Sequence, residues 1–347
     1  MKIGIITFHW ATNYGAVLQA YALQKYLSLL GHDVTIIDYC PRLIRIKQTI
    51  DAVTKGDFNF FKQEKALKSF KIAYLQLSDK VYSSHKQLMK NPHSYDCIIA
   101  GSDQIWNKSF TLRGEGKVTL SYFLDFANDN IKRIAYAVSF GFHTPTQQYI
   151  DAVTNEINKF SLISVREADG LGIVEAFGLQ SCVVCDPTAL LSKEDYLEIA
   201  KQSNGDEKAV FAYILRNNQN DSWRVARYVG NKFGISIEEN RFNGSMGEWL
   251  SSILKSQIVV TNSFHGIMLS LIMNKPFVAL TINGSGMNSR ITTLLDHVGL
   301  SSRLVEDYSE AAIESIVNED IDWVSVNQKI TELRSTGVNF LHQALEV

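Results

Sequence analysis

Short β-branched runs alternate with longer stretches of helical period through nearly the whole chain: KIGIITF, then Tyr14 to Leu30, then HDVTIIDY, and later DCIIAG, RIAYAVSF, FSLISVR and SCVVCD. Strands buried on both faces read as continuous apolar runs, and parallel strands need a long crossover between them. The alternation therefore restricts the chain to an α/β fold with parallel sheets. The second half repeats it: AVFAYIL, Trp223 to Phe233, ISIEE, a helix opened by a capping box from Ser245 to Glu248, SQIVV, a helix after His265, and KPFVAL. Thr144 and Pro145 read as another helix start, with Thr as cap and Pro at the first helical position. At 347 residues the chain is longer than one core usually organises, and DPTALLSKEDYLEIAKQSNGDEK looks like the passage between domains. The expectation is two Rossmann-like domains, 1–190 and 191–318, with a helical segment 319–347 packing back on the first.

One stretch interrupts the alternation, an insertion over about 42–78. Between Arg42 and Lys71 stand eight Lys or Arg (Arg42, Arg45, Lys47, Lys55, Lys62, Lys65, Lys68, Lys71) against Asp51, Asp57 and Glu64, with Phe58, Phe60, Phe61 and Phe70 interleaved. Such an insertion could rest on an anionic membrane surface or a lipid diphosphate. The other reading is a helical insertion with a solvated face, since aromatic residues at helical spacing are more often core. Elsewhere the charge is nearly balanced, at a formal net of -2, and neither a basic nor an acidic tail is present, which argues against nucleic acid as a partner. Four cysteines are too few for a disulfide framework, the start MKIGIITF reads as a strand with no leader before it, and no apolar run approaches roughly 18 residues. The expected location is cytoplasmic, with the inner face of the membrane as the surface the insertion would meet.

Ligands of open α/β sheets bind beyond the carboxyl ends of the strands, so chemistry is sought just after the strand runs. His265 follows IVV and precedes an apolar helix whose cap is Asn262 or Ser263, near backbone N–H groups suited to an anion. From Trp249 to Leu295 there is no Asp or Glu, where the overall frequency would give about five, while Lys255, His265, Lys275 and Arg290 all fall inside. Arg290 follows GSGMNS and opens a helix, where a cation opposes the macrodipole unless an anion joins it. Arg166 ends a strand and could grip a carboxylate or phosphate, or merely pair with Glu167. Asp103, after DCIIAGS, could accept a hydroxyl proton or serve as an Asx turn.

Other signals fail. Asp38 ends a second strand, but FHWATNYGAVLQ offers only Gly15 where a dinucleotide fingerprint needs three glycines. Cys182 and Cys185 have neither a second pair nor a histidine nearby, so no metal site is expected. There is no Walker loop and no G-x-S-x-G elbow.

Taken in order, ITFHWATNYGAVLQAYALQKYL, AGSDQIWN, IAYAVSFG, SVRE, DPTALL, TNSFHGIMLSLIMNKPFVAL and the following NSR resemble the polysaccharide pyruvyl transferase family over most of the length. The resemblance implies transfer of the enolpyruvyl unit of phosphoenolpyruvate onto hydroxyls of a hexose as a ketal, during assembly of surface polysaccharides. It implies no cofactor beyond that donor substrate, a sugar or lipid-linked oligosaccharide as acceptor, and a GT-B-like pair of domains with the site in their cleft. Family members use an arginine after a strand, a histidine opening a helix and often a lysine some twenty residues later. Arg166 and His265 match the first two; Ser285 stands at the third, and Arg290 is the substitute. The resulting site is His265 and Asp103 as catalytic groups, with Arg166, Arg290, Asn262, Ser263 and Ser289 on the donor. Asn13, Tyr14, Ser102 and Trp106 are the acceptor-side candidates. The rival readings are a GT-B-type glycosyltransferase using a nucleotide sugar and a non-catalytic polysaccharide-assembly protein.

Overall fold

The computed structural model describes all residues except 92, 113–117, 201–207, 216–219, 240–241, 283–287 and 347. The chain forms two compact units: Met1–Phe60, Lys68–Leu190 and Arg334–Val347 in the first, Phe61–Leu67 and Leu191–Leu333 in the second.

The first unit holds β1 (Lys2–Ile6), β2 (Asp33–Ile36), β3 (Cys97–Ala100), β4 (Lys132–Val138), β5 (Leu162–Val165) and β6 (Cys182–Val183). Their order is β2-β1-β3-β4-β5-β6, every pair parallel. The order reverses at β1, so the topological switch point lies between β1 and β3, where a ligand crevice is expected. Ile6 pairs with Ala100 there, and the two chains leave the sheet side by side, with Thr7 Oγ1 donating to the Ser102 carbonyl at 2.8 Å. The helices that matter here are α1 (Tyr14–Leu29), α2 (Arg42–Thr54), α3 (Phe58–Tyr74), of which Phe61–Leu67 falls in the second unit, and α4 (Gln147–Ile157). The insertion is thus helical, and it buries Phe60 and Phe70 while leaving Phe58 exposed.

The start of α4 differs from the expected one. Its cap is Thr146, which accepts from the Tyr149 N–H at 3.3 Å, and Pro145 lies outside the helix. The fully buried Tyr149, whose hydroxyl donates to the Trp106 carbonyl at 2.6 Å, sets where that helix begins.

The second unit is a four-stranded parallel sheet of β7 (Lys208–Tyr213), β8 (Ser256–Thr261), β9 (Phe277–Leu280) and β10 (Leu304–Val305), in the order β10-β9-β8-β7. Its helices include α5 (Asn220–Lys232), α6 (Met246–Lys255), α7 (Phe264–Ile272) and α8 (Ser289–Val298). The Ser245–Glu248 capping box opens α6. ISIEE, expected as a strand, joins neither sheet. It lies instead against α5: a Cβ on Gly230 would meet Ile237 Cγ1 at 2.5 Å and the Ile235 carbonyl at 2.9 Å, so the bare glycine lets this segment seat on the helix. The last helix, α9 (Trp323–Leu345), ends in the first unit, where Arg334 donates to the Ala189 carbonyl at 2.7 Å. Among the described residues no helix is long and apolar enough to cross a membrane.

Candidate functional site

In the first unit the loops after β3, β5 and β6 bring one cation and three acids together. Arg166, whose side chain is 1% exposed, donates from Nη1 to Asp186 at 2.9 Å and lies 3.6 Å from both Asp103 and Glu167. Burial opposes the charge of its guanidinium, yet Asp186, Asp103 and Glu167 together outweigh that and hold its pKa above the ordinary value. Asp186 is further fixed by the Thr188 hydroxyl at 2.7 Å and amide at 3.0 Å, and Glu167 accepts from the Ser139 hydroxyl. Arg166 thus pairs with Glu167, one of the two readings its position left open, and with Asp103 and Asp186 besides.

Asp103 sits at the switch point with φ +78, a left-handed conformation that Asp tolerates better than most residues. Its Oδ1 accepts from the Gln104 amide at 2.9 Å, and its carbonyl accepts from Ser139 N–H at 3.0 Å, so the strained residue is pinned from two sides. The acceptor-side candidates fare differently. Trp106 is a core residue, stacked on Phe123 at 4.8 Å with Nε1 donating to the Tyr122 carbonyl at 2.9 Å, and Tyr14 is fully buried on α1. Neither presents surface to a sugar. Asn13 caps α1 through the Ala16 amide at 3.0 Å, and the buried Ser102 hydroxyl faces Asp186 at 3.3 Å. A residue not singled out from sequence, His9, stands on the loop after β1 with Nε2 3.0 Å from Asp38 Oδ1 and Nδ1 3.2 Å from the Thr7 carbonyl. It satisfies the same positional rule as His265, the first titratable group past a strand end.

In the second unit α7 starts directly beyond β8. Ser263 is its cap and accepts from Gly266 N–H at 3.3 Å; a Cβ on Gly266 would come within 2.8 Å of Thr261 Oγ1, so glycine lets the helix approach its own strand. His265 is thereby buried in the first turn of α7, beside its amide-bearing end. The Phe264 ring meets the His265 imidazole edge-on at 5.3 Å, and the Arg290 guanidinium, in the first turn of α8, lies 5.8 Å from that same ring. The structure thus brings His265 and Arg290 to one aromatic side chain. The Asn262 amide clamps the backbone of Leu215, accepting from N–H at 2.7 Å and donating to the carbonyl at 3.0 Å. Asn288 clamps Ile282 in the same way, at 2.9 and 3.1 Å, and orders the start of α8 beside Ser289. Ser285, at the distance of the family lysine, lies outside the described residues. Among the described residues no group of His, Cys, Asp and Glu is arranged to hold a metal.

Two parallel sheets, each presenting its loops at the carboxyl ends of its strands, define the class of protein. The fold is similar to that of spinosyn forosaminyltransferase SpnP (11% identity, 97% of this chain and 95% of that one, TM-score 0.51). It is also similar to UDP-GlcNAc 2-epimerases from Neisseria meningitidis (10%, 99% and 99%, 0.52) and Methanocaldococcus jannaschii (12%, 96% and 100%, 0.53). At such identities the likeness concerns the α/β architecture of GT-B glycosyltransferases and these epimerases, and nothing about substrates. No protein of curated function matches the chain. The family model of polysaccharide pyruvyl transferases matches residues 13–284, and the chain belongs to that family.

Proposed function

We propose that the protein transfers the enolpyruvyl group of phosphoenolpyruvate to hydroxyls of a hexose, forming a pyruvate ketal in surface polysaccharide assembly. The observation that carries this reading is the pairing of His265 and Arg290 on Phe264, at two helix starts, inside a stretch that has no acid. A donor bearing a carboxylate and a phosphate on three carbons needs fixed positive charge and amide donors, and would be repelled by carboxylates. His265, at the amide-bearing start of α7, is the group placed to give a proton beside a bound phosphate. In the proposed reaction His265 gives that proton to the methylene carbon, leaving positive charge at C2. A sugar hydroxyl adds there and loses its proton; inorganic phosphate departs with its bonding electrons; a second hydroxyl adds and loses its proton to close the ketal. Arg290 holds the donor anion and stabilises the leaving phosphate. Asp103, pinned at the switch point, is assigned the hydroxyl proton, and Arg166 is a positioning residue that fixes Asp103 among its neighbouring acids.

The test is turnover of phosphoenolpyruvate with candidate sugars, read as released phosphate and the mass increase of the ketal. His265→Ala should lower turnover about a hundredfold or more, the range of general acid catalysis, while donor binding survives in part. Turnover near that of the parent would make His265 structural and end the mechanism.

One observation favours a second reading. A pocket at the carboxyl ends of β9 and β10 is lined by Asp221, Ser222, Thr281, Glu306 and Tyr308. The hollow is only about 20 Å³, so these acids, which lie outside the acid-free stretch, could meet a hydroxyl of a nucleotide sugar only at its rim. Thermal shift separates the two: stabilisation by phosphoenolpyruvate and none by nucleotide sugars supports pyruvyl transfer, and the reverse supports the glycosyltransferase.

A further inference from the structure

The insertion buries some of its apolar residues and turns others outward. On α2, Leu43, Ile46, Ile50 and Val53 are between 43% and 76% exposed. Their spacing of three and four residues places all four on one helix face, while Ala52 on the opposite face is buried. At 100° per residue Arg42 and Lys47, both exposed, fall on the two flanks of that stripe. The next helix repeats the spacing with alternating chemistry: Phe58, Phe61, Lys65, Lys68 and Ile72 are all exposed, Phe58 at 76%. The segment Arg42–Lys71 carries eight basic residues against three acids, leaving 26 basic and 33 acidic residues in the rest of the chain. Of the eight, Arg42, Lys47 and Lys55 stand exposed on or just after α2, while Arg45 turns inward to the Trp10 carbonyl.

We propose that α2 and the start of α3 form a docking surface for an anionic lipid bilayer, with Leu43, Ile46, Ile50, Val53 and Phe58 entering the headgroup boundary and Arg42 and Lys47 meeting its phosphates. The stripe lacks the length to span and has the composition of a helix lying in the interface plane, apolar on one face with a basic rim. An anionic membrane meets such a helix on both counts, an acyl boundary for the apolar stripe and phosphates for the basic rim. The inference stands apart from the reading of the catalytic chemistry, and either can fail without the other.

The experiment is flotation of the full chain with vesicles of phosphatidylcholine alone or mixed with phosphatidylglycerol. The parent should float with the mixed vesicles only and be released as salt is raised. Leu43→Gln with Ile50→Gln should weaken binding more than tenfold, and Arg42→Gln or Lys47→Gln by roughly fivefold each. Near-ultraviolet dichroism checks that the double variant is folded; Phe58→Ser, outside α2, provides an independent loss of several-fold. Equal flotation of parent and double variant, or no flotation of the parent, overturns the proposal. Dimerisation of the parent in light scattering that the double variant abolishes also overturns it, by assigning the stripe to a second copy.

Discussion

At the carboxyl end of the first sheet, Arg166 is enclosed by Asp103, Glu167 and Asp186, each fixed in turn by a hydroxyl or an amide, whereas beyond the second sheet His265 and Arg290 meet on Phe264 in a stretch with no acid. Both arrangements put a cation past a strand end, and position alone does not distinguish them. The company does. A buried cation among three carboxylates has its Coulombic demand met within the unit, and its removal is felt as lost stability. Basic groups at helix starts, beside backbone amides, favour the approach of an anion. The proposed reading takes structure from the first arginine and donor chemistry from the second, and each half of it can be broken.

The largest effect should come from Arg166. Arg166→Leu leaves Asp103, Glu167 and Asp186 together without their shared counter-charge, and the expected cost is about 3–5 kcal/mol in urea unfolding of the full chain. An unchanged unfolding midpoint, with loss of phosphoenolpyruvate affinity instead, would return Arg166 to the donor. Arg290→Ala should do the opposite. Calorimetry should show phosphoenolpyruvate binding weakened by about 1.5–3 kcal/mol, the range of a hydrogen bond to a charged group, with little change in stability. Unchanged affinity would place the anion elsewhere in the second unit. Smaller again is Asn262→Ala, which removes both bonds to Leu215; roughly 1–3 kcal/mol of stability should go with the unsatisfied backbone groups. Loss of donor affinity without loss of stability would mean that the clamp is incidental and that Asn262 touches substrate.

Much of this was legible in the alternation of the chain, because parallel strands buried on both faces leave an unbroken apolar signature. DCIIAG and SQIVV became β3 and β8 with their following loops at the sheet ends, and Ser263 and His265 took the cap and first turn of α7. ISIEE misled because period-two alternation reports a half-buried extended segment without saying what it lies on; here that is α5 at Gly230. Trp106 and Tyr14 misled for a related reason: both stand near a strand end, but one turn further on the chain has already dived into the core. The three acids around Arg166 come from loops 83 residues apart in sequence, from Asp103 to Asp186, and no local pattern announces that they meet. His9, by contrast, was available to the rule that found His265.

Two buried histidines test the comparison at its finest grain. His93 in the first unit packs against Phe126 at 4.7 Å and Tyr82 at 5.5 Å, and its Nε2 donates to the Leu88 carbonyl at 3.1 Å. Burial pushes its imidazole below the ordinary value, and the bond to Leu88 opposes this without overturning it. A base with a lowered folded pKa binds fewer protons folded than unfolded, so its stability contribution is full above about pH 6.5 and is lost as pH falls toward the folded value. His32, also lowered by burial and then by the N-terminal ammonium, acts in the same direction but is more exposed and contributes less. His93→Phe should therefore flatten the fall in melting temperature between pH 6.5 and the acid limb, leaving turnover near the parent's at neutral pH. His265→Ala should remove turnover. If instead His93→Phe removes turnover and His265→Ala leaves it near the parent's, then burial at a helix start is no guide to function here, and the contrast between the two sheet ends loses its meaning.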